Sequence, residues 1–153
     1  MQPAETDSAL VDALTRLETA LLSPPVAGEL SIWTQACRDG LDTVARQLPA
    51  YFQDFLKPQY MEIARSDPEQ LPRVQRMIAD DQGLVDDLEK FSRRLAEFAA
   101  GAAQVKKHES KVADERTDLE QEGIALIIRV RKQRAAADTW LTEALYRDRG
   151  PVD

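Results

Sequence analysis

The sequence predicts an all-α protein, an antiparallel up-down-up-down four-helix bundle, and three observations carry that expectation. Apolar residues recur at alternating spacings of three and four along four segments. The composition combines 43% hydrophobic with 6% aromatic and 31% charged residues, the mixture of long amphipathic helices and not of sheets. Proline and glycine punctuate the segments, and connections this short return the chain beside the helix it has just left. No internal duplication, low-complexity tract or long linker divides the 153 residues, so residues 1–153 read as one domain.

The first helix is expected to open near Asp7 or Ser8, residue types that cap a helix, and carries Leu10, Leu14, Leu17 and Leu21 before Ser23-Pro24-Pro25 ends it. The second takes Ser31 as its cap, and its stripe runs through Trp33, Cys37, Gly40, Leu41, Val44, Leu48, Tyr51 and Phe55. Pro49 inside it removes one backbone hydrogen bond and should kink the axis without breaking it. Lys57-Pro58 should stop it, because the residue before a proline is pushed out of the α region. The third helix opens at Ser66-Asp67-Pro68-Glu69 and presents Leu71, Val74, Ile78, Asp81, Val85, Leu88, Leu95 and Ala99, with Gly101 as its stop. The last starts between His108 and Ala113 and presents Leu119, Gly123, Leu126, Val130, Gln133, Ala137, Trp140 and Ala144 before Gly150-Pro151.

Charge and rare residues narrow the function. A net charge of −7 repels phosphate backbones and anionic lipid, so neither nucleic acid nor membrane is an expected partner. The single cysteine, Cys37, forms no intramolecular disulfide, and the N-terminus has no basic segment followed by an apolar one, so the expected location is cytoplasmic. One histidine, His108, removes most imidazole metal sites and most nucleophile–histidine–acid arrangements. His108 reads as a solvated residue of the connection before the last helix. Cys37 reads as a small buried hydrophobe without basic neighbours, and Trp33 and Trp140 as core. The basic run Arg129, Arg131, Lys132 and Arg134 reads as a charged face neutralised by acidic neighbours. The pairs Asp80-Asp81 and Asp86-Asp87 point about 100° apart on a helix, so neither pair acts jointly on one bond.

Chemistry in helical bundles comes from polar residues on inner stripes, and here those are Tyr51, Asp81 and Gln133. Tyr51-Phe52 through Tyr60-Met61, then Leu71, Met77 and Asp80-Asp81-Gln82, form one group of motifs. Arg131-Lys132-Gln133-Arg134, Ala137-Asp138, Glu143-Ala144-Leu145-Tyr146 and Asp148-Arg149-Gly150 form another. Together they resemble the hemerythrin-like, or HHE cation-binding, domain family over about Leu10 to Asp153. The resemblance implies a four-helix bundle whose family uses histidines and bridging carboxylates to hold a non-haem di-iron site for dioxygen, for oxygen or iron sensing, or for reactive nitrogen species. The positions matching the family's ligands are filled by Tyr51, Phe55, Asp81, Gln133 and Ala137, and phenyl, methyl and neutral amide groups do not replace imidazole or carboxylate donors.

The expectation is therefore a non-catalytic hemerythrin-like bundle that has lost its di-iron site, with no cofactor, acting as a protein-interaction or regulatory module. Its partner is an unidentified protein or a second copy, since Ile124, Ile127 and Ile128 beside Leu126 widen the apolar face of the last helix. The alternative is a residual cation- or small-ligand-binding protein built on Tyr51, Asp81 and Gln133, with Asp54 or Glu62 as further carboxylates. In either case a buried Asp81 should receive at least one hydrogen bond, and burial should raise its pKa.

Overall fold

Helix α1 spans Pro3–Leu22 and helix α2 Leu30–Ala50; α2 passes without a break through a π-helical turn, Tyr51–Leu56, into α3, Lys57–Ser66. A single 3-10 turn, Pro68–Gln70, leads into α4, Leu71–Ala102, and α5 runs over Glu109–Arg149. This computed structural model describes residues 3–24, 26, 28–102 and 109–149. The protein is all-α, and no strand occurs among the described residues. No helix among them is long and apolar enough to cross a membrane.

The predicted stripes form most of the core. Leu10, Leu14, Leu17 and Leu21 of α1 meet Trp33, Cys37, Leu41, Val44 and Leu48 of α2, while α5 contributes Leu119, Leu126, Val130, Ala137 and Trp140. Helix α1 lies along α2 and touches α5, and α4 packs on α2 and α5. Two glycines sit where helices approach closely. A Cβ on Gly40 would stand 3.1 Å from the Leu17 Cα, and one on Gly123 would stand 2.7 Å from Leu21 Cδ1 and 2.9 Å from Phe91 Cζ.

Several boundaries depart from the sequence reading. Helix α1 begins at Pro3, upstream of Asp7, and α2 begins at Leu30 behind Glu29, which makes no side-chain cap. Lys57-Pro58 does not stop the second helix; it opens α3. The reason lies in the π turn, where the Lys57 N–H reaches back five residues to the Phe52 carbonyl. That wider register removes the strict i−4 demand that a proline cannot meet, and it begins two residues after Pro49. Asp67 caps the 3-10 turn that leads into α4, its carboxylate accepting from the Glu69 N–H at 3.2 Å. On α4 itself Leu71 is exposed, and the buried stripe runs through Leu84, Phe91 and Phe98 where Val85 and Ala99 were expected. Helix α5 starts at Glu109, within the expected interval. His108 and the Gly150-Pro151 stop lie outside the described residues.

Candidate functional site: the polar centre at Asp81

Asp81 stands seven residues from both Val74 and Leu88, so the α-helical period carries it onto the buried face of α4, where it is 4% exposed. From α5 the partly buried Gln133 donates through Nε2 to Asp81 Oδ1 at 2.8 Å. From α3 the Tyr60 ring is fully buried, and its hydroxyl interacts with Asp81 without completing a hydrogen bond of good geometry. Behind it Tyr60 packs on Trp140 with ring centroids 5.7 Å apart, and the Arg73 guanidinium lies 4.7 Å from the Trp140 ring.

The electrostatics follow from these neighbours. Burial pushes the Asp81 carboxyl up to about 6, and Asp80 beside it adds to the rise, while the Gln133 amide and the Tyr60 hydroxyl pull it back. Burial, with the Asp81 charge next to it, pushes the Tyr60 hydroxyl well above the ordinary tyrosine range. The centre therefore offers one carboxylate that binds a proton near pH 6 and two neutral partners that do not titrate there.

Of the five sequence-predicted positions, Asp81 and Gln133 are in direct contact, and the expected donor to Asp81 is found in the amide. Tyr51, 2% exposed, is set in the π turn against Phe52 and Phe55, with ring centroids at 5.8 and 5.3 Å. Burial raises its hydroxyl pKa, and the charges it feels most are Asp7, Arg134 and Asp138, ahead of Asp81. The tyrosine against the carboxylate is thus Tyr60, not Tyr51. Phe55 is partly buried and Ala137 fully buried, and neither brings a donor atom. Asp54 and Glu62 are exposed, and Glu62 pairs with Arg65 at 2.5 Å, so neither supplements Asp81.

A cleft of about 40 Å³ opens between the π turn and α4, with Pro49, Phe52, Gln53 and Lys57 on one side and Asp81 and Gln82 on the other. That is room for a water molecule or two, far below the volume an organic ligand takes. No group of three or more histidine, cysteine or carboxylate side chains poised for a metal occurs among the described residues. One carboxylate with a phenol, an amide, a phenyl and a methyl group does not fit a di-iron centre, which needs several imidazole or carboxylate ligands.

A second buried polar group escaped the sequence reading. Arg116 of α5 is 7% exposed; it donates from NH2 to the Ser23 carbonyl at 3.1 Å and from NH1 to Glu120 at 3.3 Å, and its guanidinium lies 4.9 Å from the Trp33 ring. Trp33 in turn donates from Nε1 to the Leu21 carbonyl at 3.3 Å. These contacts close the C-terminus of α1 with donors from two other helices and place a cation at the negative end of its dipole. Arg116 also corrects the expectation for Cys37, which does have a basic neighbour across the fold. Burial nonetheless outweighs it and pushes the thiol up to about 12, so the cysteine stays protonated and inert. The signal was in the spacing, since residue 116 continues the inner stripe of 119, 123 and 126.

Three arginines of the basic run of α5 are paired with acidic neighbours, Arg129 with Asp87 at 2.8 Å, Arg131 with Glu18 at 2.5 Å and Arg134 with Asp7 at 2.6 and 2.7 Å. Trp33 and Trp140 are both core, at 4% and 2% exposure. Among known proteins the chain matches no family model, no curated protein and no solved structure.

Proposed function

We propose that the chain is a hemerythrin-like four-helix bundle, its helices running alternately up and down, that no longer holds di-iron and serves as a non-catalytic, cytoplasmic interaction or regulatory module. The observation that carries this reading is the 2.8 Å hydrogen bond between Gln133 and Asp81. At two positions where the resemblance expects imidazoles, an amide donates to a carboxylate within the protein. Phe55 and Ala137 supply packing at two further ligand positions. The non-catalytic reading is supported by the size of the cleft beside the buried carboxylate, which suits water and not an organic substrate.

The test is the metal content per chain, by mass spectrometry of untagged protein expressed with added iron, manganese and zinc and then desalted. Metal far below one atom per chain is expected. Near-stoichiometric metal that disappears with Asp81→Ala would overturn the proposal. It would favour the second reading, an oxygen-ligand cation site built on Asp81 and Gln133, for which the solvent-reachable cleft at Asp81 is the supporting feature.

A further inference from the structure

The cleft at Asp81 has walls of two kinds. Phe52, Ile78 and Val85 line it with apolar carbon, while Asp81, Gln53 and Gln82 bring polar atoms to it. A small apolar void stays dry, whereas one whose walls give each water two to four polar partners fills. The polar partners decide what this cleft holds.

The inner partner is Asp81. An ionised carboxylate has about four acceptor positions on its two oxygens. Gln133 fills one of them, on Oδ1, and the Tyr60 hydroxyl beside it, fully buried, completes no hydrogen bond. A buried carboxylate so sparsely served draws further donors, and the cleft is a side from which they can reach it.

The outer partner is created by the π turn. The Gln53 carbonyl would be met in an α-helix by the N–H four residues ahead and in a π-helix by the N–H five ahead. The first belongs to Lys57, which gives it to the Phe52 carbonyl, and the second would belong to Pro58, which has none. Register shift and proline together leave this carbonyl without either donor, at a residue that lines the cleft. Carboxylate and carbonyl are both acceptors, so a species that joins them must donate twice, as water does. The size agrees: about 40 Å³ accommodates two molecules when each needs about 10–15 Å³.

We propose that the cleft is a hydration site that holds two ordered waters in series, the inner one donating to Asp81 and the outer one to the Gln53 carbonyl, with the exposed amides of Gln53 and Gln82 at its mouth. Such a pair ties α4 to the π turn and connects the buried carboxylate with solvent. The site does not depend on the reading of the chain as an interaction module.

A high-resolution crystal structure of the full chain near pH 7, where Asp81 is ionised, tests it together with oxygen-17 magnetic relaxation dispersion, which counts slowly exchanging waters in solution. Two waters are expected in the cleft, one within about 3.2 Å of an Asp81 oxygen and one within the same distance of the Gln53 carbonyl. Asp81→Leu, which keeps the branched shape and removes the acceptors, is expected to lose the inner water and lower the slow count. Lys57→Met, at an exposed position on the same wall, is expected to keep both waters. A cleft without ordered water overturns the proposal, as does one filled by the Lys57 ammonium or by a metal ion, recognised by oxygen distances under about 2.6 Å. An Asp81→Leu variant that retains both waters overturns the role of the carboxylate, and the wild-type result decides the matter even if that variant fails to fold.

Discussion

Asp81 and Arg116 are buried to a similar degree, and the core treats them in opposite ways. Arg116 and the Asp81 partner Gln133 lie 17 residues apart on α5, roughly 25 Å along the helix axis. The anion is met by neutral groups, an amide and a phenol, and most of its compensation at mildly acidic pH comes from a proton. The cation has no such escape, because a guanidinium does not deprotonate, and it is met by electron-rich partners: a helix C-terminal carbonyl, a carboxylate and an indole face. A buried charge that can be discharged tolerates a sparse shell, whereas one that cannot calls for more partners. Even so, the Arg116 Nε has no partner.

The contrast predicts mutations of opposite sign. The largest effect is expected from Arg116→Ala, which leaves the end of α1 uncapped, opens a void against Trp33 and releases Glu120, at a cost of about 3 kcal/mol by analogy with broken buried ion pairs. Chemical denaturation would show it as a lower midpoint. A change under about 1 kcal/mol would mean that the guanidinium is held no better than a surface charge.

Asp81→Asn should move stability the other way. The folded-state pKa of about 6 lies above the ordinary 3.8, so the native protein holds the proton more tightly than the unfolded chain. The stability linked to that proton is fully present below about pH 4 and is lost as pH rises through about 6. An isosteric amide keeps the Gln133 bond and carries no charge, so at pH 7 the variant should be more stable by on the order of 2 kcal/mol, with the gain vanishing near pH 4. Denaturation of both proteins across that range decides it, and a pH-independent difference would contradict the account of Asp81.

The smallest effect is expected from Tyr60→Phe. The hydroxyl completes no full hydrogen bond, so its loss should change stability by less than about 1 kcal/mol. It should nevertheless raise the pKa of Asp81, which loses a favourable neighbour, and carbonyl-detected NMR titration of the aspartate would register the rise. An unchanged titration would show that Tyr60 and Asp81 do not communicate.

The helical stripes of α1, α2 and α5 were legible because an alternation of three and four needs only local spacing, and α4 was legible at its start, where Asp67-Pro68 announces a cap. The α4 stripe drifted by one residue at Val85 and Ala99, since over 32 residues a small error in period accumulates while Leu84, Phe91 and Phe98 offer an equally apolar alternative. At the site, Asp81 with Gln133 could be read from inward position alone. Tyr60 could not, because two prolines and a change of helical register stand between it and the clear part of α2. Arg116 was hidden by its charge, since pattern reading sends arginine to the surface and burial depends on partners brought by other helices.

The π turn has a consequence for the polar centre as well as for the path of the helix. It holds one residue more than the α-helical turn it replaces, and it lies between Pro49 and Pro58. Everything beyond it is turned by about 100° relative to the uninterrupted helix. Tyr60 faces Asp81 only in this shifted frame, and without the extra residue the tyrosine would point elsewhere and the carboxylate would have the amide as its sole neutral donor. An acidic core residue in this chain thus owes part of its surroundings to a register shift on a different helix, so the chemistry of the centre depends on more than the inward positions of α4 and α5.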